Sequence, residues 1–408
     1  MVKDKERFVY YFVLFLPIID LFTSVATWEG WPSIGLVLKG FFLLFAVVFL
    51  LKKNYKKRYY WFFFFLVLLY GLLDIGYWML QNPSNVITEI THLIKVFYLP
   101  VLVLFFGQYE NKYLSKKTFF YLSCLFLLFY LVPYPFGLGH NISEVYPNKD
   151  LYLSYFYIGN ELANIFIILV PVGIMYLLEV KKKVWLGIYL LFVFFMLLLL
   201  GTKTMYISVF LILIYFLLRY RKCVWKIVRK HLVLFGVVIV FGISFLGIYL
   251  PRSQFWKNIE TSLNFYEVNS LRDLFTLENI DNIIYSNRLD FLGNVHEEYA
   301  RGSLSVKLLG LGRTRIAEIK DIEIDLFDIF YSIGIIGFMV YVLFFGFALR
   351  QVRLTGIYLF LFILLGVISM FTGHVLISPM TSTYLALLFG VCLEERRSSC
   401  EIMDQKAT

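Results

Sequence analysis

Charge is scarce in this chain of 408 residues: Asp, Glu, Lys and Arg make up 16% of it, against roughly 25% in an ordinary soluble domain. Cysteine is scarcer, with four residues, Cys124, Cys223, Cys392 and Cys400. That is too few and too dispersed for a disulfide framework or a Cys/His metal site, so no metal and no cofactor is expected. No G-x-x-x-x-G-K-[ST], G-x-S-x-G, H-E-x-x-H or paired C-x-x-C occurs, which excludes the nucleotide-binding, hydrolase and metalloprotease signatures those patterns carry. No self-similarity at a period of 20 to 50 residues is present, which argues against a solenoid. What fills the chain instead is apolar: 60% hydrophobic residues, 20% aromatic, 44 Phe and 30 Tyr, with a mean hydropathy of +0.76. Disorder and an ordinary water-soluble fold are both ruled out.

The expected fold class is all-α, a polytopic integral membrane protein of about 12 transmembrane helices with one large extracellular loop. About 20 apolar residues in helix cross a bilayer's hydrocarbon core, because every backbone amide must bond within its own segment. Twelve such runs fall at 8–26, 33–51, 59–80, 88–107, 117–137, 154–178, 184–200, 204–219, 231–250, 326–349, 355–373 and 375–393. The seventh and eighth are joined only by Gly201-Thr202-Lys203 and the last two only by Gly373-His374, so both pairs read as tight hairpins. The division is a membrane domain over 1–250, the loop 251–325, a second set of spans over 326–393 and a tail over 394–408. Pro17 and Asp20 in the first run leave no small-residue cleavage site, which marks it as a retained helix.

Sidedness follows from where lysine and arginine collect. Alternate connections hold 25 of the 38 basic residues, which puts both termini in the cytoplasm and 251–325 outside the cell membrane. The net charge of +10 is therefore mostly a topological label, and the short basic loops give no reason to expect nucleic acid. The loop itself carries nine basic and twelve acidic residues. A connection of that length is seldom structureless unless it is functional; its Leu271-Leu274-Leu277 and Leu289-Leu292 spacings predict short amphipathic helices.

Ionisable and amide groups inside the spans cost about 2.5–3.5 kcal/mol each on insertion scales and are candidates for function. Asp20, Lys39 and Asp74 fit structural pairing. Glu89, His92 and Lys95 share one face of the fourth span. Asn160, Glu161 and Asn164 share a face of the sixth. Lys203 stands in an outer turn where the charge rule predicts no lysine, and a fixed cation there suits a phosphate or pyrophosphate. Lys95, Asn160, Glu161 and His374, in the last turn, are candidates to line a cavity.

The region 288–337 is the most specific. Arg288-Leu-Asp-Phe-Leu292, then Leu308-Leu-Gly-Leu-Gly312-Arg313, then Asp325-Leu-Phe-Asp-Ile-Phe-Tyr-Ser-Ile-Gly334-Ile-Ile-Gly337 follow in order before the tenth span. With twelve spans and a large outer loop, this resembles the superfamily of O-antigen ligases and polysaccharide repeat-unit polymerases. Gly201-Thr-Lys203-Thr is similar to that family's Gly-Ser-Arg turn. One departure stands out: ligases carry a histidine eleven residues before the first glycine of the G-x-x-G, and Glu323 occupies that position.

The resemblance implies glycan transfer outside the membrane, from an undecaprenyl-pyrophosphate-linked oligosaccharide to a hydroxyl of an acceptor glycan, with no metal. A pyrophosphate leaving group needs cations, and Arg288, Lys203, Arg313 and Arg315 are the candidates. The hydroxyl needs a base, for which Asp325, Glu323 and Asp328 are available. A repeat-unit polymerase is the favoured reading. A ligase acting on finished polymer and a flippase for lipid-linked oligosaccharide remain as alternatives.

Overall fold

The computed structural model describes residues 2–53, 57–109, 113–142, 151–221 and 288–407, with Trp256, Glu260 and Tyr285 as isolated positions. Before the loop it contains α1 (Val2–Trp28), α2 (Ile34–Lys53), α3 (Lys57–Gln81), α4 (Val86–Gln108), α5 (Lys116–Leu131), α6 (Gly159–Glu179), α7 (Lys183–Leu200) and α8 (Lys203–Arg219). A two-stranded antiparallel pair, β1 (His140–Asn141) and β2 (Tyr152–Ser154), lies between α5 and α6. The loop contributes α9 (Arg288–Arg301), α10 (Leu304–Leu309) and α11 (Gly312–Ile319). The last elements are α12 (Asp325–Gln351), α13 (Gly356–Ile368) and α14 (Pro379–Ala407).

Among the described residues eight helices, α1 to α7 and α12, are long and apolar enough to cross a membrane. The protein is thus an α-helical polytopic membrane protein. The other expected spans fall on α8, α13 and α14, except the ninth at 231–250, which lies outside the described residues together with Leu271, Leu274 and Leu277. At 13 residues, α13 rises only about 20 Å at 1.5 Å per residue, short of a 30 Å hydrocarbon core.

Two boundaries differ from the expected ones. The sixth span starts at Gly159 rather than 154, because Tyr152–Ser154 is taken up by β2 and Ser154 sits at φ +56°. The last hairpin is not a two-residue turn. Residues 369–378 form a ten-residue connection, because Gly373 and His374 are both left-handed (φ +58° and +59°) and α14 can begin only at Pro379, where the missing N–H costs nothing.

Burial explains which helices are central. α4 is buried at every position from Val96 to Gly107, and α6 at every position from Leu162 to Gly173. A helix apolar and enclosed all round belongs to the interior of a bundle. α14 packs on both, and Tyr98 of α4 shares a 3.0 Å hydrogen bond with Thr383 of α14. In contrast α3, α7 and α8 present exposed rings such as Phe62, Phe65, Phe192 and Phe210, as a lipid-facing rim does. The buried Asp20 pairs with Lys39 across α1 and α2, and the Tyr384 hydroxyl donates to its other oxygen at 2.7 Å. Asp74, expected to pair likewise, is buried, and among the described residues it has no cation and its Oδ1 no hydrogen-bond partner.

The element that carries the loop is α12, which breaks at Gly334 (φ +64°, ψ −172°). A break inside a span frees carbonyls that lipid cannot satisfy. Here Leu311 N–H donates to Tyr331 O at 2.8 Å and Tyr70 O–H to Ile333 O at 2.8 Å. The approach is backbone on backbone: a Cβ on Gly310 would stand 2.1 Å from Ser332 O, and one on Gly334 would stand 2.4 Å from Gly310 N. Around this contact Val295, Tyr299, Leu311, Ile316, Ile322, Ile324 and Tyr331 form a second, smaller core that seats α9 to α11 on α12.

Candidate active site

Arg288 opens α9 and is 8% exposed. Its Nε and Nη2 both donate to one oxygen of Glu323, at 3.2 and 2.5 Å, and its Nη1 donates to Phe371 O at 2.8 Å and Tyr285 O at 3.4 Å. Glu323 lies just ahead of α12 at φ +56°. Its backbone is pressed against the 369–378 connection, since a Cβ on Gly373 would come within 2.7 Å of Glu323 O. Arg288 therefore bridges the loop to both chain segments at this end of the bundle.

Asp325, two residues on, is 1% exposed. Its carboxylate accepts N–H bonds from His374 (2.7 Å), Val375 (2.8 Å) and Leu376 (2.7 Å). Successive backbone amides converging on one anion make a nest, and this one is filled by the chain's own aspartate. His374 is thus placed by its backbone in a left-handed turn. Asp328, a helical turn into α12, is different: its Oδ1 is buried and has no hydrogen-bond partner among the described residues. It lies within electrostatic reach of Asp325, Arg313, Asp321 and His374.

Arg313 is the residue with fork geometry, donating from Nη1 and Nη2 to the two oxygens of Asp321 at 2.5 and 2.7 Å. Burial opposes its charge, but Asp321 outweighs that and holds the guanidinium above its ordinary value. Glu89 anchors the same turn from α4: its carboxylate accepts from the backbone N–H of Arg313 (2.7 Å) and Thr314 (2.8 Å) and from the Thr314 hydroxyl (2.8 Å). An acid receiving the free amides of a helix's first turn is a cap. One turn along α4, His92 Nε2 bonds Ser332 Oγ at 2.8 Å. Glu89 and His92 thereby lock α11 and α12 to the central helix.

The candidate residues divide accordingly. Arg288, Glu323, Asp325, Asp328, Arg313 and His374 gather at one end of the bundle. Lys95 on α4 reaches toward the same place, within electrostatic range of Arg313 and of Glu161 on α6, and makes no hydrogen bond or ion pair among the described residues. Asn160 is half-buried in the first turn of α6, beside Glu161. Arg315 is at the surface, 50% exposed, engaged by Glu298 and Glu318. Lys203 opens α8 after the left-handed Gly201, and the neighbouring Thr202 side chain would lie 3.9 Å from a Cβ on Gly159 at the start of α6. Asp321, Glu89 and the Phe371 carbonyl complete the cluster. Of these only Glu89 had a sequence signal, its i, i+3 spacing from His92. Among the described residues no group of three His, Cys, Asp or Glu side chains is placed to hold a metal ion.

A polytopic helical membrane protein whose loop helices cap one end of the bundle, over a cluster of arginines and carboxylates around the buried Arg288 and Asp325, defines the class. The chain belongs to the O-antigen ligase like membrane protein family, whose model matches residues 3–274 and 272–395. Membership points to a glycosyl-transferring membrane enzyme of the ligase and polymerase kind. No curated protein and no solved structure matches the chain.

Proposed function

We propose that the protein is an extracytoplasmic polymerase of a cell-surface polysaccharide, moving an oligosaccharide from an undecaprenyl-pyrophosphate carrier to a hydroxyl of a second glycan. The observation that carries this reading is Arg288: a buried guanidinium, oriented by two backbone carbonyls and neutralised, among the described residues, by the half-exposed Glu323 alone. A cation fixed in that way stabilises charge developing on a departing pyrophosphate without having to reorganise. Arg313 adds positive charge close by, and the isoprenoid tail has the lipid-facing rim to lie against.

In the reaction the acceptor oxygen forms a bond to the anomeric carbon, the bond from that carbon to the pyrophosphate oxygen breaks, and the hydroxyl proton passes to a carboxylate. Asp325 is poorly suited to receive it, since its lone pairs are already engaged by three N–H groups. Asp328 has an unengaged oxygen at the same end of the bundle and is the better base. Glu323 then acts as the counterion of Arg288, which the pyrophosphate must displace. Lys95, Glu161 and Asn160 line the approach for the sugars.

Deleting the gene tests the reading. A polymerase mutant accumulates single lipid-linked repeat units on the outer face of the membrane. Finished polymer retained on the carrier would indicate a ligase, and repeat units held on the cytoplasmic face would indicate a flippase.

A further inference from the structure

At the end of the bundle opposite Arg288, the C-terminal ends of α4 and α12, the residues after α12 and the middle of α14 surround a cavity of about 300 Å³ lined by Gly107, Arg350, Val352, Arg353, Phe389 and Leu393, among others. The 27 residues of α12 separate it from Asp325, about 40 Å at 1.5 Å per residue, so it has no part in the site above. Its walls are fixed closely, because a Cβ on Gly107 would stand 1.8 Å from Val352 Cγ1.

Both arginines are exposed and neither forms an ion pair among the described residues. Two acids near this end, Glu179 and Glu395, are engaged by Lys116, the second at 2.8 Å, and the Tyr358 hydroxyl also donates to Glu395. Two guanidiniums are thus left without counterions beside an apolar wall of Val352, Phe389 and Leu393. Among the described residues no acid lines the cavity to receive a choline or ethanolamine ammonium.

We infer that this cavity binds the phosphate head group of an anionic membrane lipid, with Arg350 and Arg353 on the phosphate and the acyl chains against Phe389 and Leu393. Basic pockets between helix ends at a membrane surface have the chemistry for this, and arginine suits phosphate because its donors form a planar fork. A free phosphate would have no use for the apolar wall. The inference does not depend on the proposed transferase activity.

Native mass spectrometry of the purified full-length protein in detergent, with added phosphatidylglycerol, phosphatidylcholine or inorganic phosphate, tests it. Phosphatidylglycerol should be retained about tenfold more tightly than phosphatidylcholine. The R350Q/R353Q protein should lose that preference, and R350K/R353K should keep part of it. Thermal unfolding of each variant shows whether the fold is intact. Equal retention of the two lipids, or an unchanged preference in R350Q/R353Q, would overturn the site. Inorganic phosphate competing as well as the lipid would overturn the lipid assignment.

Discussion

Arg288 aims two donors at a single carboxylate oxygen of Glu323, at 3.2 and 2.5 Å, and leaves the other oxygen outside the pair. The guanidinium is held from behind by the Phe371 carbonyl, so its orientation does not depend on Glu323. In the proposed reaction the donor's pyrophosphate, with more charge and more acceptor oxygens, would replace Glu323 without moving the arginine. Arg288→Ala should lower turnover about 10²–10³-fold, the usual cost of removing one donor that stabilises developing charge, at unchanged protein abundance. Glu323→Gln should retain turnover and bind the lipid-linked donor more tightly. A Glu323→Gln protein without turnover would make Glu323 the base. Steady-state kinetics with varied donor distinguishes the two.

Asp325 is assigned a structural role. Removing its carboxylate strands three amides of the 374–376 turn, and hydrogen bonds to a charged group are worth about 1.5–3 kcal/mol each. Asp325→Ala should therefore lower the unfolding temperature and the amount of protein in the membrane. Asp328→Asn should leave both unchanged while abolishing transfer. Thermal unfolding in detergent beside a transfer assay reads both outcomes.

The seat of the loop on α12 depends on two glycines. At Gly334 a side chain meets a left-handed φ, which costs about 1–3 kcal/mol, and it also meets the backbone of Leu308 and Gly310 at 2.4–2.7 Å. Gly334→Ala should thus be more damaging than Gly346→Ala in the same helix, where a Cβ has open space. Limited proteolysis at 288–320 should show the first variant cleaved faster and the second cleaved like the wild type.

Asp20 and Lys39 supply a test inside the membrane. Removing one partner of a buried pair leaves a bare charge and costs about 3–5 kcal/mol, whereas replacing both with apolar groups is often neutral. Lys39→Met should destabilise the bundle by that order, and Asp20→Leu with Lys39→Met should recover most of it. The loss of Tyr384 as a donor to Asp20 sets the part not recovered.

The eight long spans were legible because a run of about 20 apolar residues has few alternatives to a membrane helix, and a lone Asp20 and Lys39 in neighbouring spans have each other. Gly334 and Gly337 were legible as close-packing residues and the Gly-Leu-Gly of 310–312 only as part of a motif, so that Gly310 and Gly334 meet each other was not. The last hairpin was not legible, because Gly373-His374 has the composition of a tight turn whether the chain reverses there or continues to Pro379. What decides the matter is Asp325, about 50 residues away, drawing three amides onto its carboxylate. The roles of Asp321 and Glu89 were hidden for the same reason: an acid's partner is set by tertiary contact, and local spacing names only residues on its own helix. The strand pair beside α6 was too short to leave a pattern.

The central claim is that this cluster transfers lipid-linked oligosaccharide onto a growing glycan, with Arg288 on the pyrophosphate. The direct measurement is product length: purified protein reconstituted in lipid with the native undecaprenyl-pyrophosphate-linked repeat unit, its products resolved by size. A ladder of multiples of the repeat, formed about 10²–10³-fold more slowly by Arg288→Ala, is the expected result. A ladder formed at the wild-type rate by Arg288→Ala, or repeat units never joined by the wild-type protein, would contradict it.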